Sequence, residues 1–158
     1  MQVSLDSYRF AAAVALFLLS GSVLAQETTR VQYLANEGVM VAHEETKVLF
    51  DPLYESGYNR YQMVPDSMRA AIFAGTPPYD GIDAVFISHY HGDHFSAPDL
   101  LRLMRNQPGV QLYAPAQAVA AIRAIASDDV AEIFARATGF DLDYGDAPMF
   151  IRTDNLLI

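Results

Sequence analysis

Residues 87–96 of the chain read ISHYHGDHFS, and they give the strongest indication of its fold. Three of the four histidines in the chain lie here, with an aspartate between the last two. Histidine nitrogens and carboxylate oxygens are the ligands that zinc takes when no thiolate is available. The density of donors predicts a metal site rather than a solvated loop or a single adventitious metal. The predicted ligands are His89, His91, Asp93 and His94.

Regular structure is predicted on both sides of this histidine loop. The apolar run at 84–87 is typical of a strand covered on both faces. The sequence SAPD at 96–99 predicts a helix start, with a serine cap, an early proline and an acidic residue. Leu100, Leu103 and Met104 then share one helical face. A loop held between a buried strand and a helix is rigid enough to support a metal site.

The spacing of the donors also suits two metal ions. On a tight loop, His89 and His91 can face one ion while Asp93 and His94 reach a second. In such sites the ions lie about 3.5–4 Å apart and share a hydroxide.

The rest of the chain predicts an α/β fold, because strands alternate with helices that pack on a sheet. An antiparallel strand series is predicted at 31–34, 39–42 and 48–50. A helix at 66–74 ends at Gly75, and a strand is predicted at 110–113. Two further helices are predicted, one from Pro115 and one from Asp129 to Gly139. Strand character returns at 140–144 and 149–151.

The first 25 residues have the layout of a secretory signal peptide with cleavage before Gln26. Residues 10–19 are apolar but too short for a comfortable membrane span, and small residues precede the cleavage point. We therefore expect an exported protein, periplasmic or secreted, with one domain at residues 26–158. An uncleaved membrane anchor is the alternative, and only then would a membrane be a partner.

Composition limits the partners and the chemistry. The chain contains no cysteine, which excludes disulfides, thiolate ligands and a cysteine nucleophile. Its formal net charge is −9, and acidic chains repel phosphate backbones, so no nucleic-acid partner is expected. The expected partner is a small-molecule substrate, and the oligomeric state is left open.

Several other polar or aromatic residues allow two interpretations. His43 has no donor at suitable spacing, which favours a surface turn histidine over a metal ligand. Tyr54, Tyr58 and Tyr61 follow the Asp51-Pro52 strand end; they either cover the edge of the core or form a substrate wall. The late carboxylates are interpreted as solvated: Asp141, Asp143, Asp146 and Asp154.

The motif HxHxDH at 89–94 resembles the hallmark of the metallo-β-lactamase superfamily of metal-dependent hydrolases. The resemblance implies an αββα sandwich, of which this chain holds the N-terminal portion. It also implies that His89 and His91 bind a first zinc, that Asp93 and His94 bind a second, and that Asp93 orients a metal-bound hydroxide. Asp51 matches an aspartate that supports the site from an early strand end.

Two departures from the family pattern narrow the interpretation. Phe95-Ser96 stands where lactamase- and glyoxalase-like members usually carry two glycines, which resembles branches that act on phosphodiesters, sugar-phosphate lactones or acyl-phospholipids. No histidine follows His94, whereas relatives add later ligands. Residues 156–158 also read as the opening of a buried strand, so the sequence predicts a domain that is incomplete at its C-terminus.

The leading hypothesis is an exported, zinc-dependent hydrolase of an ester, lactone or phosphodiester. The alternative is a truncated, non-catalytic fragment that binds one metal weakly or none. A third possibility is a metal-binding module that obtains its remaining ligands from a second chain. A diiron role is disfavoured, because relatives of that kind usually carry a carboxylate at the position of His91, although ligand type alone does not settle the metal.

Overall fold

The computed structural model of the protein describes residues 29–127, 130–141, 145–147, 149–153 and 156–157. Several sequence predictions lie outside these residues and are not tested by the structure. They are the signal segment at 1–25, the helix start at Asp129, the alternating residues 142–144, and the carboxylates Asp143 and Asp154.

Six strands form one mixed sheet in chain order. The first three strands pair antiparallel, and the third to the sixth pair parallel. Antiparallel neighbours need only a short turn, whereas parallel neighbours need a crossover, and helices supply part of each crossover here. The predicted antiparallel series and α/β class are therefore confirmed. The strands are β1 (Thr29–Ala35), β2 (Gly38–His43), β3 (Thr46–Phe50), β4 (Ala84–Phe86), β5 (Gln111–Pro115) and β6 (Ala137–Phe140).

The helices share one hydrophobic core with the sheet, because alternate residues of β2 to β5 face them. They are α1 (Asp66–Ala74), α2 (Ala97–Asn106), α3 (Ala116–Ile125) and α4 (Val130–Phe134). In the described part of the chain, every helix is too short or too polar to cross a membrane. Fully buried core residues from both layers include Met40, Leu49, Val85, Leu112, Ile72, Leu100, Leu103 and Ile122.

Helix α2 begins where the sequence predicts, but not through the predicted serine cap. Ser96 occupies the capping position with an extended backbone, yet its side chain makes no capping hydrogen bond. Its carbonyl oxygen instead accepts a hydrogen bond from Leu100 N at 3.0 Å, and its side chain is buried. This helix is therefore stabilised by the burial of its apolar face rather than by a side-chain cap.

The prediction of a helix reaching Gly139 is wrong. Helix α4 ends at Phe134, and β6 (Ala137–Phe140) extends the sheet beside β5. Backbone pairing begins already at Leu112 N, which donates to Arg136 O at 2.8 Å. Gly139 suits this position, since a Cβ on it would lie 3.3 Å from the Cα of Ala116. Sheet pairing overrides the local helical pattern.

The predicted return strand at 149–151 is also displaced. Met149 and Phe150 lie outside any strand and are exposed. The strand β7 begins one residue after this run, at Arg152–Thr153, and pairs antiparallel with β8 (Leu156–Leu157). Strand character in this region is thus confirmed, but its bounds are not.

Aromatic rings stack along the sheet face opposite the helices. The ring centroids of Phe50 and Phe86 are 5.4 Å apart, and those of Phe86 and Tyr113 are 4.8 Å apart. Tyr113 then contacts Phe140 at 6.2 Å in a nearly parallel orientation. Four neighbouring strands are thereby linked by side chains as well as by backbone hydrogen bonds.

Candidate metal centre

The histidine loop follows β4 at the edge of the sheet where the parallel strands end. Asp51 follows β3 at the same edge, and its backbone N donates to Phe86 O at 2.9 Å. On the other side, Ile87 N donates to Tyr113 O at 2.8 Å. In open α/β sheets this carboxyl edge is the usual place for a ligand site. The sheet therefore brings Asp51 to the histidine loop.

A hydrogen-bonded turn gives the histidine loop its shape. The carbonyl oxygen of His91 accepts bonds from His94 N and Phe95 N, each at 3.0 Å. The Asn36 side chain donates from Nδ2 to Asp93 O at 2.9 Å. Phe95 is only 7% exposed and anchors the end of the turn in the core. The loop is thus held by its own backbone turn, by the Asn36 side chain and by the burial of Phe95, as a preorganised site requires.

The structure brings together the four side chains that the sequence predicts as ligands. The ring centroids of His89 and His91 are 4.2 Å apart, and those of His89 and His94 are 5.7 Å apart. The Asp93 carboxylate lies 4.0 Å from Nε2 of His94, which is beyond hydrogen-bond distance. His89 and His91 are exposed, whereas Asp93 and His94 are partly buried. The loop is accessible to a ligand from solvent.

Asp51 orients His94. Its carboxylate accepts hydrogen bonds from the backbone N of Ser88 at 2.8 Å and from the Ser88 hydroxyl. The same carboxylate lies 2.9 Å from Nδ1 of His94. An ionised carboxylate only accepts hydrogen bonds, so this contact places the proton of a neutral imidazole on Nδ1. Nε2 is then left with its lone pair available, which is how carboxylates usually prepare a histidine for a metal.

The donor chemistry fits zinc, although the side chains do not converge on a point. Among the residues that the structure describes, no three His, Asp or Glu side chains are arranged to hold a metal ion as they stand. Imidazole nitrogens and one carboxylate are nonetheless the ligands that zinc prefers. The Asp51 contact supplies the outer support that such ligands need. The residues fit the ion in kind, and the ligand assignment stays a prediction.

The remaining candidate ligands lie elsewhere. His43 ends β2, where it pairs with Thr46 at the start of β3, so it is at the end of the sheet opposite Asp51. Its Nδ1 lies 2.9 Å from the hydroxyl of Thr29. Asp141 and Asp146 are exposed, as predicted for solvated carboxylates.

In the segment at 54–63, here called the tyrosine loop, one tyrosine covers the core edge, and a substrate wall stays a prediction for the other two. Tyr54 is buried at the core edge, its hydroxyl donates to Gln62 O, and burial raises the pKa of its phenol, with Tyr33 adding to the effect. Tyr58 and Tyr61 are instead exposed. The backbone of this loop contacts the histidine loop, because Glu55 N and Ser56 N donate to Gly92 O at 2.9 and 2.7 Å.

Sequence reasoning missed two residues that shape the site. Ser88 binds Asp51 through both its backbone and its side chain, and Asn36 reaches Asp93 from a turn 57 positions earlier. Serine at the head of the loop gives only a weak signal. Asn36 has a positive φ of 47°, typical of asparagine in a tight turn, but its distant contact is visible only in the folded chain.

Comparison with known families identifies a matching domain model. Residues 46–143 match the model of the beta-lactamase superfamily domain. A search of curated proteins finds no match to the chain. The matched segment covers more than half of the chain and contains Asp51 and the whole histidine loop.

The fold agrees with this match. A six-stranded mixed sheet with helices on one face is consistent with part of a beta-lactamase-like α/β fold. The resemblance carried by the histidine motif is confirmed by a match that extends well beyond that motif. The chain belongs to the beta-lactamase superfamily and is a hydrolase-like member of it.

Proposed function

We propose that the protein is an exported, zinc-dependent hydrolase of a small-molecule ester, lactone or phosphodiester. The observation that carries the proposal is the contact between Asp51 and His94. The histidine loop that contains His94 also contains the other predicted ligands, His89, His91 and Asp93. A buried carboxylate that fixes the tautomer of a partly exposed histidine suits a prepared ligand better than a surface turn.

Each side chain has a distinct role in this proposal. His89, His91 and His94 would hold zinc through imidazole nitrogens, with Asp93 as the carboxylate ligand. Zinc bound there would supply Lewis acidity, which lowers the pKa of a coordinated water towards about 7 and polarises the scissile carbonyl or phosphoryl group. Asp93 would accept a proton as the attacking water is deprotonated. Asp51 keeps His94 in its tautomer throughout.

Hydrolysis by matched variants of the full chain tests the proposal. The substrates are p-nitrophenyl acetate and bis(p-nitrophenyl) phosphate, with added zinc. We expect metal-dependent turnover of at least one of them, and its loss in His89→Ala and in Asp93→Ala. His43→Ala is the matched control, because this histidine lies at the other end of the sheet. Full activity in both loop variants would show that the site is misassigned.

Zinc content after dialysis separates this proposal from its alternative, a chain that binds one metal weakly or none. Two equivalents that stay bound, and that are reduced in His89→Ala, would contradict the alternative. A chain that loses all zinc during dialysis would support it. Export is tested by the mature N-terminus: secreted protein that begins at Gln26 supports cleavage, whereas retention of residues 1–25 supports an anchor.

A further inference from the structure

The tyrosine loop places one phenol directly beside the histidine loop. A Cβ built on Gly92 would lie 3.1 Å from the hydroxyl oxygen of Tyr58. Glycine at this position therefore permits the close approach of Tyr58 to the turn between His91 and Asp93. Tyr58 is nevertheless 54% exposed, so it lies beside the site without being buried by it.

The backbone at Tyr58 is strained, because this residue and the next adopt the left-handed conformation. Tyr58 and Asn59 both have positive φ values, 48° and 55°. The turn is closed by Gly57, whose carbonyl oxygen accepts bonds from Arg60 N and Tyr61 N, each at 2.8 Å. Two consecutive non-glycine residues with positive φ are uncommon, and such strain concentrates at ligand sites. The turn therefore fixes the direction of the Cα–Cβ bond of Tyr58.

A second exposed ring lies within the histidine loop itself. The Tyr90 ring centroid is 5.0 Å from that of His91 and 6.0 Å from that of His89. Tyr90 is 48% exposed. The predicted ligands are thus accompanied by two half-exposed aromatic rings, one from each loop. Large aromatic rings that are half exposed to solvent beside the predicted metal ligands form a surface suited to binding an apolar group.

The side chains around these rings provide little positive charge. Residues 87–96 contain no lysine or arginine, and Arg60 is the one basic residue of the tyrosine loop. Glu55 and Asp93 add negative charge next to the turn. Phosphate sites usually rely on several arginine or lysine donors, which these two loops do not supply. Apart from a bound metal ion, Arg60 alone in these two loops would pair with an anion, so the side chains favour an uncharged group beside the rings.

We infer that Tyr58 and Tyr90 bind the apolar part of an uncharged ester or lactone whose scissile bond lies at the histidine loop. This inference rests on the proposed hydrolase function and narrows its substrate class. The acyl or aryl group packs against the faces of the two rings, while the reacting carbonyl faces His89 and Asp93. Tyr58 is a substrate-binding residue that selects for size and apolarity.

Kinetics with two esters of different acyl length test the selectivity. The measured quantity is the ratio of kcat/KM for p-nitrophenyl hexanoate to that for p-nitrophenyl acetate, with added zinc. We expect Tyr58→Ala to lower this ratio roughly fivefold, because the variant removes one of the two rings that contact the acyl chain. Tyr58→Phe keeps the ring and should keep most of the ratio. The control is Ile125→Ala, which removes an exposed apolar side chain at the far end of α3.

Binding of a non-reacting analogue distinguishes this inference from the hydrolase proposal. Hexananilide replaces the ester by an amide, and its binding to the full chain is followed by saturation-transfer NMR. Weaker binding by Tyr58→Ala than by Ile125→Ala supports the inference even if the chain hydrolyses nothing. Equal binding by all variants overturns it, as does an unchanged acyl-length ratio in an active enzyme. Preference for bis(p-nitrophenyl) phosphate over both esters would also overturn it.

Discussion

Nδ1 of His94 lies 2.9 Å from a carboxylate oxygen of Asp51, which precedes it by 43 positions in the chain. Two different strands deliver the partners, and the Ser88 hydroxyl lies 3.2 Å from the same ring nitrogen. Asp51 is 4% exposed and has a positive φ of 40°. The contact therefore depends on a buried carboxylate that stays in an uncommon backbone conformation.

Asp51→Asn tests this contact with little disturbance of the backbone, because asparagine also tolerates positive φ. We expect zinc affinity to fall about 10- to 100-fold, the usual cost of losing an outer partner of a ligand. Competition with a chromophoric zinc chelator measures the change. Asp141→Asn, at an exposed carboxylate, is the control. Equal zinc affinity in the two variants would show that Asp51 does not support the metal ligands.

Gly57→Ala should destabilise the tyrosine loop. A Cβ at this position would lie 2.3 Å from the carbonyl oxygen of Tyr61, so the turn has to open. We expect the free energy of unfolding to fall by about 1–3 kcal/mol, as is usual when an added group clashes with packed atoms. Urea denaturation measures the loss. Gly109→Ala is the control, because a Cβ there meets no atom within 4 Å; a loss of the same size in both variants would contradict the packing argument.

Lys47 and Asp80 should give stability that depends on pH. The Lys47 ammonium donates to the Asp80 carboxylate at 2.7 Å, and this hydrogen bond lowers the carboxyl pKa. A lowered pKa in the folded state means that the stabilisation is complete above the ordinary carboxyl pKa of about 4 and is lost as pH falls through the lower value. The Asp80 pKa, followed by NMR, should rise towards its ordinary range in Lys47→Met, since the Lys47 hydrogen bond is the largest cause of its lowering.

The difference in stability between the parent protein and Lys47→Met provides a second measurement. It should be present at pH 7 and shrink below pH 4, as Asp80 becomes protonated in both proteins. The effect is expected to be small, because the Asp80 side chain is 50% exposed and water screens the pair. A difference that grows as the pH falls would contradict this assignment.

Leu100→Ala should destabilise the helix that follows the histidine loop. Leu100 lies in the first turn of α2 and is fully buried. Removing a buried leucine side chain usually costs about 2–5 kcal/mol, depending on how far the cavity collapses. Urea denaturation of Gln117→Ala, an exposed position on α3, is the comparison. A cost below about 1 kcal/mol would indicate that the site repacks or that α2 is not held as described.

The sequence predicts those features that depend on local patterns. Alternating and apolar runs identify β1 to β5, and glycine and proline mark the ends of α1 and α2 closely. The six residues 89–94 lead to the family before any contact is known. Local signals suffice here because strand propensity, helix faces and turn residues agree with the tertiary structure.

Other features could not be predicted because they depend on distant partners. The predicted helix runs to Gly139, but residues 137–140 pair with β5 and form β6 instead. The approach of Tyr58 to Gly92 and the bond from Asn36 to Asp93 join loops that are far apart in sequence. No periodicity within either loop encodes such contacts, so they become visible only when the sheet is formed.

The candidate metal site can form only when the chain folds, because it depends on the parallel pairing of β3 with β4. Asp51 and His94 meet only after these strands have paired, so the unfolded chain has no equivalent of the site. A metal that selects this arrangement would stabilise the native state by mass action, by about 2.7 kcal/mol at a concentration of 100 times its Kd. Zinc in the surrounding medium would then act on the lifetime of the folded protein as well as on its reaction.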